Sequence, residues 1–146
     1  MMKTNLFYCF AMVLIIGGCS QPKSSKIEGA WKLVYIKTVY GDKPYYSFPG
    51  TDTTEGQIKM WSKDHVSFTG VIKWDSTYSD NFGAGTYKLN GNQYEETFLY
   101  CSYRPYIGNI LKMTLEIIND TLTQTSLEKD GKFGKSTFST EKYVRL

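Results

Sequence analysis

Thr86-Tyr87-Lys88-Leu89-Asn90-Gly91-Asn92-Gln93-Tyr94-Glu95-Glu96 is the stretch on which the fold is decided. Asn90-Gly91 is a strong short hairpin signal because both residues tolerate positive φ. It places one strand at 83–89 and the next at 93–101. Outward from this hairpin, short alternating or β-rich runs broken by turn residues recur along the whole chain from Ile27 onward. Earlier runs occupy 30–40, 57–61 and 65–73; later ones occupy 110–118, 121–128 and 139–145. Ser62-Lys63-Asp64 and Asn119-Asp120 are tight turns, whereas 41–55, 75–81 and 103–109 are longer connections. No window carries a 3.6-residue apolar stripe of helical length. Eight hairpin-linked strands predict an all-β, eight-stranded up-and-down antiparallel barrel, since closure removes the edges that an open meander leaves exposed.

Composition agrees with this class. The 146 residues include 3 Trp, 12 Tyr and 8 Phe against 4 Pro, a balance that suits pleated strands rather than an Ala/Leu-rich bundle. One histidine and three cysteines leave little material for metal or nucleophile constellations. The formal charge of +3, from 17 basic and 14 acidic residues, is too mild and mixed to predict nucleic-acid binding.

The N-terminus reads as an address. Met1-Met2-Lys3 precedes an apolar run at 6–16, well short of the roughly 20 residues a spanning helix needs. The run ends in Ile16-Gly17-Gly18-Cys19, which resembles the lipobox of bacterial lipoproteins. That resemblance implies a signal peptide at 1–18, acylation of the Cys19 thiol, a polar linker through residue 26 and a barrel domain at 27–146. Acyl chains contribute about 0.8 kcal/mol per buried methylene, so Cys19 would anchor the protein to the membrane without a spanning helix. No acidic residue follows Cys19 closely, and the expected location is the cell envelope, at the outer membrane with the domain facing the periplasm. Cys9 leaves with the signal, so Cys101 remains alone and no internal disulfide forms. Cys101 is expected as a small, partly buried strand residue.

Alternation assigns faces. Val66, Phe68, Gly70 and Ile72 share one, as do Leu111, Met113, Leu115 and Ile117. In the strand after the hairpin, Tyr94, Glu96, Phe98 and Tyr100 alternate, so Glu96 points inward with its aromatic neighbours. A buried carboxylate needs a partner or a proton, and Tyr35, Tyr87, Gln124 or Arg145 are the candidates. Glu96 is then either part of a network that fixes strand register or a polar anchor for a ligand's head group. The pocket residues expected on this basis are Tyr35, Phe68, Tyr87, Glu96, Phe98, Tyr100, Met113 and Gln124. A barrel of this size is either filled by side chains or holds one small ligand.

Gly29-Ala30-Trp31 looks like the Gly-x-Trp signature of the lipocalin and fatty-acid-binding superfamily, and Arg145 matches the basic residue that packs over that tryptophan. The stretches 29–34, 63–65, 85–94 and 141–145 together resemble the lipocalin-like domains of small bacterial lipoproteins. The chain lacks the disulfides and the helix before the last strand found in larger lipocalins. The resemblance implies a barrel closed at one end by the Trp31–Arg145 stack; no cofactor is expected.

Function narrows to two classes. One is a lipid-anchored protein that binds a small, mostly apolar molecule inside the barrel. The other is a non-enzymatic interaction module, an envelope accessory subunit or inhibitor with a filled barrel. For the second, Tyr45, Tyr46, Phe48, Tyr103 and Tyr106 form an aromatic rim on two loops at one end, suited to a protein or glycan partner or to packing over the opening. No phosphate-binding loop or Gly-x-Ser-x-Gly elbow is present, and Glu95 and Glu96 face opposite sides of their strand, so an enzyme is not expected. His65 has only Asp64 and Lys63 beside it and is not assigned a metal.

Overall fold

A computed structural model describes residues 26–40, 43–48, 55–74, 76–126 and 137–146. The strands are β1 (Gly29–Tyr40), β2 (Lys43–Phe48), β3 (Gly56–Trp61), β4 (His65–Trp74), β5 (Thr77–Asn90), β6 (Gln93–Cys101), β7 (Ile110–Ile118), β8 (Thr121–Ser126) and β9 (Thr137–Arg145). β1 pairs with β3 along Gly29–Lys32 and with β9 along Trp31–Tyr40, while β3 to β9 pair in sequence order. All of these pairings are antiparallel, so β1 and β3–β9 close an eight-stranded up-and-down barrel.

Three differences from the sequence reading have local causes. Residues 43–48, expected within a connection, form β2, which pairs with β1 at Ile36–Tyr40 on the edge that β3 uses lower down. Pro44 argues against a central strand, but an edge strand tolerates it. β5 begins at Thr77 rather than 83, because its polar start through Asn81 pairs with Gly70–Trp74 of β4. That stretch is exposed up to Asp80, and sheet pairing overrides the low β-propensity of Asp and Asn. The hairpin loop is also shifted by one residue. Asn90 pairs with Gln93, so the loop is Gly91-Asn92. Gly91 alone has positive φ (62°), as in the primed turn that puts glycine first. The expected end of β8 at 127–128 and the signal, Cys19 and linker through residue 25 lie outside the described residues.

One end is packed solid by Ile27, Trp31, Leu33, Trp61, Leu122 and Tyr143, all buried. The Arg145 guanidinium lies 4.1 Å from the centre of the Trp31 ring. It is held there by the carbonyls of Glu28 (2.9 Å) and Lys26 (2.6 Å), while the Trp31 indole donates to the Ile27 carbonyl at 2.8 Å. Gly29 has φ +125°, and a Cβ there would come within 3.0 Å of Arg145 Nη1. The Gly29-Ala30-Trp31 pattern therefore has a steric origin: glycine admits both the backbone twist and the arginine.

Candidate functional site

β3 reverses the usual polarity. Gln57, Lys59 and Trp61 point inward and are buried, while Ile58 and Met60 are exposed outside. Trp61, at the strand's end, is the sequence signal for this face, since it carries Lys59 and Gln57 with it at the period-2 spacing. On the opposite wall β6 turns Tyr94, Glu96 and Phe98 inward, as alternation predicts.

The polar side chains meet in the middle of the barrel. Lys59 Nζ lies 2.8 Å from Glu96 Oε2 and donates to Gln124 Oε1 at 3.2 Å, with Lys59 and Glu96 only 3% and 4% exposed. Its Nζ also sits over the Trp61 and Tyr94 rings, at 5.1 and 5.9 Å. The Tyr94 hydroxyl donates to Glu96 Oε2 (2.8 Å) and accepts from the Trp61 indole (2.9 Å). Burial, and then the Glu96 charge, hold the Tyr94 hydroxyl well above its usual pKa. A second chain runs from Asn81 to Gln57 Oε1 (2.6 Å), from Gln57 to the Tyr143 hydroxyl (3.3 Å) and from that hydroxyl to Glu141 Oε2 (2.5 Å). Burial comes first and Glu141 second in raising the Tyr143 pKa. Lys59, Gln57, Glu141 and Tyr143 were not among the residues expected at the site.

Above this floor is a cavity of about 230 Å³, walled by Ile36, Phe68, Phe98, Leu111 and Met113 and bordered by Tyr103 and Tyr106. Phe68 and Phe98 meet edge to face at 5.3 Å, and Tyr103 and Tyr106 at 4.8 Å on the 3-10 turn at Arg104–Tyr106. Of the expected pocket residues, Phe68, Glu96, Phe98, Met113 and Gln124 line this space together. Tyr35, Tyr87 and Tyr100 do not.

Each of those three has a geometric reason. A bulge between Leu33 and Tyr35 shifts the alternation of β1, so Ile36 faces the lumen and Tyr35 pairs with Lys142 instead. Tyr87 packs lower, its ring 5.7 Å from that of Tyr94. In β6, Ala84 pairs with Tyr100 and Gly85 with Phe98, leaving Leu99 as an extra residue. Phe98 and Cys101 consequently turn inward while Leu99 (55%) and Tyr100 (71%) are exposed. Gly85 marks the spot, since a Cβ there would lie 2.0 Å from the Thr97 carbonyl oxygen.

Tyr35, Tyr87 and Arg145 make no hydrogen bond to Glu96; of the expected partners only Gln124 joins it, through Lys59. Tyr45, Tyr46 and Phe48 lie on β2 rather than on a loop, opposite Thr38, Lys37 and Ile36, and their side chains lie outside the described part. Cys101 is buried and reaches the cavity wall. His65 is exposed at the closed end, its Nδ1 2.6 Å from Asp64. Among the described residues no group of three or more His, Cys, Asp or Glu side chains converges.

No family model matches the chain, and no curated protein matches it. Among solved structures it is similar to an uncharacterized protein from Bacteroides eggerthii DSM 20697, at 14% identity and a TM-score of 0.43. The match covers 82% of this chain and 99% of that one.

Proposed function

We propose that this chain is a lipid-anchored envelope protein, lipocalin-like in kind, that binds a small molecule with a mostly apolar body inside its barrel and carries out no catalysis. The observation that carries the reading is the cavity of about 230 Å³, where Phe68, Phe98 and Met113 stand above the polar groups of Glu96 and Gln124. An apolar enclosure with a few convergent polar groups is the usual division of labour in ligand pockets. Acylation at Cys19 supplies the membrane attachment, and the outer membrane, with the domain in the periplasm, is its proposed place.

Native mass spectrometry of protein isolated from its own host tests the binding role: a retained small molecule supports it. In titrations with that molecule, Glu96→Gln weakens binding while circular dichroism stays unchanged; equal affinity argues against Glu96 as an anchor. Cys19→Ala tests the membrane role by releasing the protein from the membrane fraction.

A second reading, an interaction module, is favoured by Tyr103 and Tyr106, two exposed aromatic side chains that border the cavity. A co-purifying protein and an empty cavity in the same mass spectrum would support it.

A further inference from the structure

The hydrogen-bonding capacity left over in the cavity is one-sided. Lys59 is the buried cation, and it is already matched: its Nζ has Glu96 and Gln124 as acceptors and two aromatic faces beside it. The Tyr94 hydroxyl both donates and accepts, and so does that of Tyr143. Gln57 uses both ends of its amide. The carboxylates differ. Glu96 receives both of its bonds on Oε2, and Oε1 has no partner among the described residues. No buried side-chain oxygen is left unsatisfied among those residues, so Oε1 is not sealed in; Glu96 lines the cavity, and that is where Oε1 is reachable.

Glu141, which also lines the cavity and pairs with Gln124 and Ile36 on the neighbouring strands, has one hydrogen bond among the described residues, from Tyr143, and takes it on Oε2. Among the described residues lining the cavity, two carboxylates, Glu96 and Glu141, stand against one buried ammonium, that of Lys59. Lys112 touches the edge of the cavity, but it is 63% exposed and lies 3.6 Å from Glu95 outside the barrel. Burial first, and then Glu141 and Glu96, raise the pKa of Tyr143, so both carboxylates act on the same part of the lumen.

We infer that the cavity takes a small organic cation, a protonated amine on a one-ring or similarly compact apolar body, with the ammonium directed at the free oxygens of Glu141 and Glu96. This rests on the cavity being a ligand site. Size supports it: about 230 Å³ falls below the roughly 300–1,000 Å³ of pockets for drug-sized ligands, which fits a compact body. The chemistry also fits, because charge-assisted hydrogen bonds to carboxylates and contact with aromatic faces such as Phe68 and Phe98 both favour an ammonium group. An anionic head group would instead meet two carboxylates and no unmatched buried cation.

Calorimetric titration of the full chain at neutral pH with phenethylamine, phenethyl alcohol and phenylacetate provides the test, because the three differ mainly in the head group. The amine is expected to bind about tenfold or more tightly than either of the others, and Glu141→Gln is expected to remove most of that preference. If the alcohol or phenylacetate binds as tightly as the amine, the inference fails while the cavity remains a ligand site. If none of the three binds, both the inference and the reading beneath it fall. A preference that survives in both Glu141→Gln and Glu96→Gln overturns the assignment to these carboxylates; the comparison of probes on the unaltered chain does not depend on either variant folding.

Discussion

Lys59 and Glu96 form the contact on which the barrel's interior most depends. Each is almost fully buried, and each is the other's charge partner. Removing one partner leaves the other charged and enclosed, so Lys59→Met is expected to cost about 3–5 kcal/mol in urea denaturation. Replacing both, as Lys59→Met with Glu96→Leu, removes the desolvation penalty with the pair and should recover much of that loss. A double variant no more stable than Lys59→Met alone would mean that the pair is not coupled as its 2.8 Å separation implies. At the closed end the decisive residue is Gly29. Its positive φ and the nearby Arg145 Nη1 predict that Gly29→Ala costs about 1–3 kcal/mol. Thermal unfolding checks this, and Gly56→Ala serves as the comparison, since a Cβ there meets nothing within 4 Å and Gly56 has no positive φ.

Strand β6 shows how one extra residue changes which side chains an element delivers. Tyr94, Glu96 and Phe98 follow strict alternation, and then Leu99 is inserted without a partner. Phe98→Ala should therefore cost about 3–5 kcal/mol, whereas Leu99→Ser and Tyr100→Ser should change stability by no more than about 0.5 kcal/mol. Denaturant midpoints for the three variants measure the contrast, and a large loss for Tyr100→Ser would mean that its ring packs inside. The same element explains what the sequence leaves hidden. Period-2 patterning locates Glu96, Phe98 and Met113 correctly because their strands run without interruption up to those positions. It misplaces Tyr35 and Tyr100 because both follow a bulge, and a bulge is a property of two paired strands rather than of one. Gly85 is the trace such a feature leaves in the sequence, a glycine within a strand where another backbone comes close. Lys59 is missed for a different reason: rules that send apolar residues inward put Ile58 and Met60 in the lumen, and only Trp61 argues for the other face.

At the scale of the whole molecule, the barrel has one end sealed by packing and a middle layer held by polar side chains, and that layer makes its stability depend on pH. Tyr94 and Tyr143 are buried beside carboxylates, and both titrate well above the usual tyrosine pKa in the folded state. In the unfolded chain they ionise near the ordinary value of about 10. Below that pH both states keep these protons, so the two tyrosines make stability neither rise nor fall. Above it the unfolded chain releases two protons that the folded barrel retains, so stability declines as pH rises. The slope approaches about 1.4 kcal/mol per tyrosine per pH unit, or about 2.7 for the pair. Urea midpoints measured between about pH 8 and pH 11.5 should be level at first and then fall. Tyrosinate absorbance should show these two residues ionising together with unfolding rather than before it. Tyr94→Phe removes one ionising group and should make the alkaline decline shallower by about half, even though it starts from lower stability because the Trp61 indole and Glu96 each lose a hydrogen bond. An undiminished slope in that variant would place the source of the alkaline sensitivity outside the polar layer.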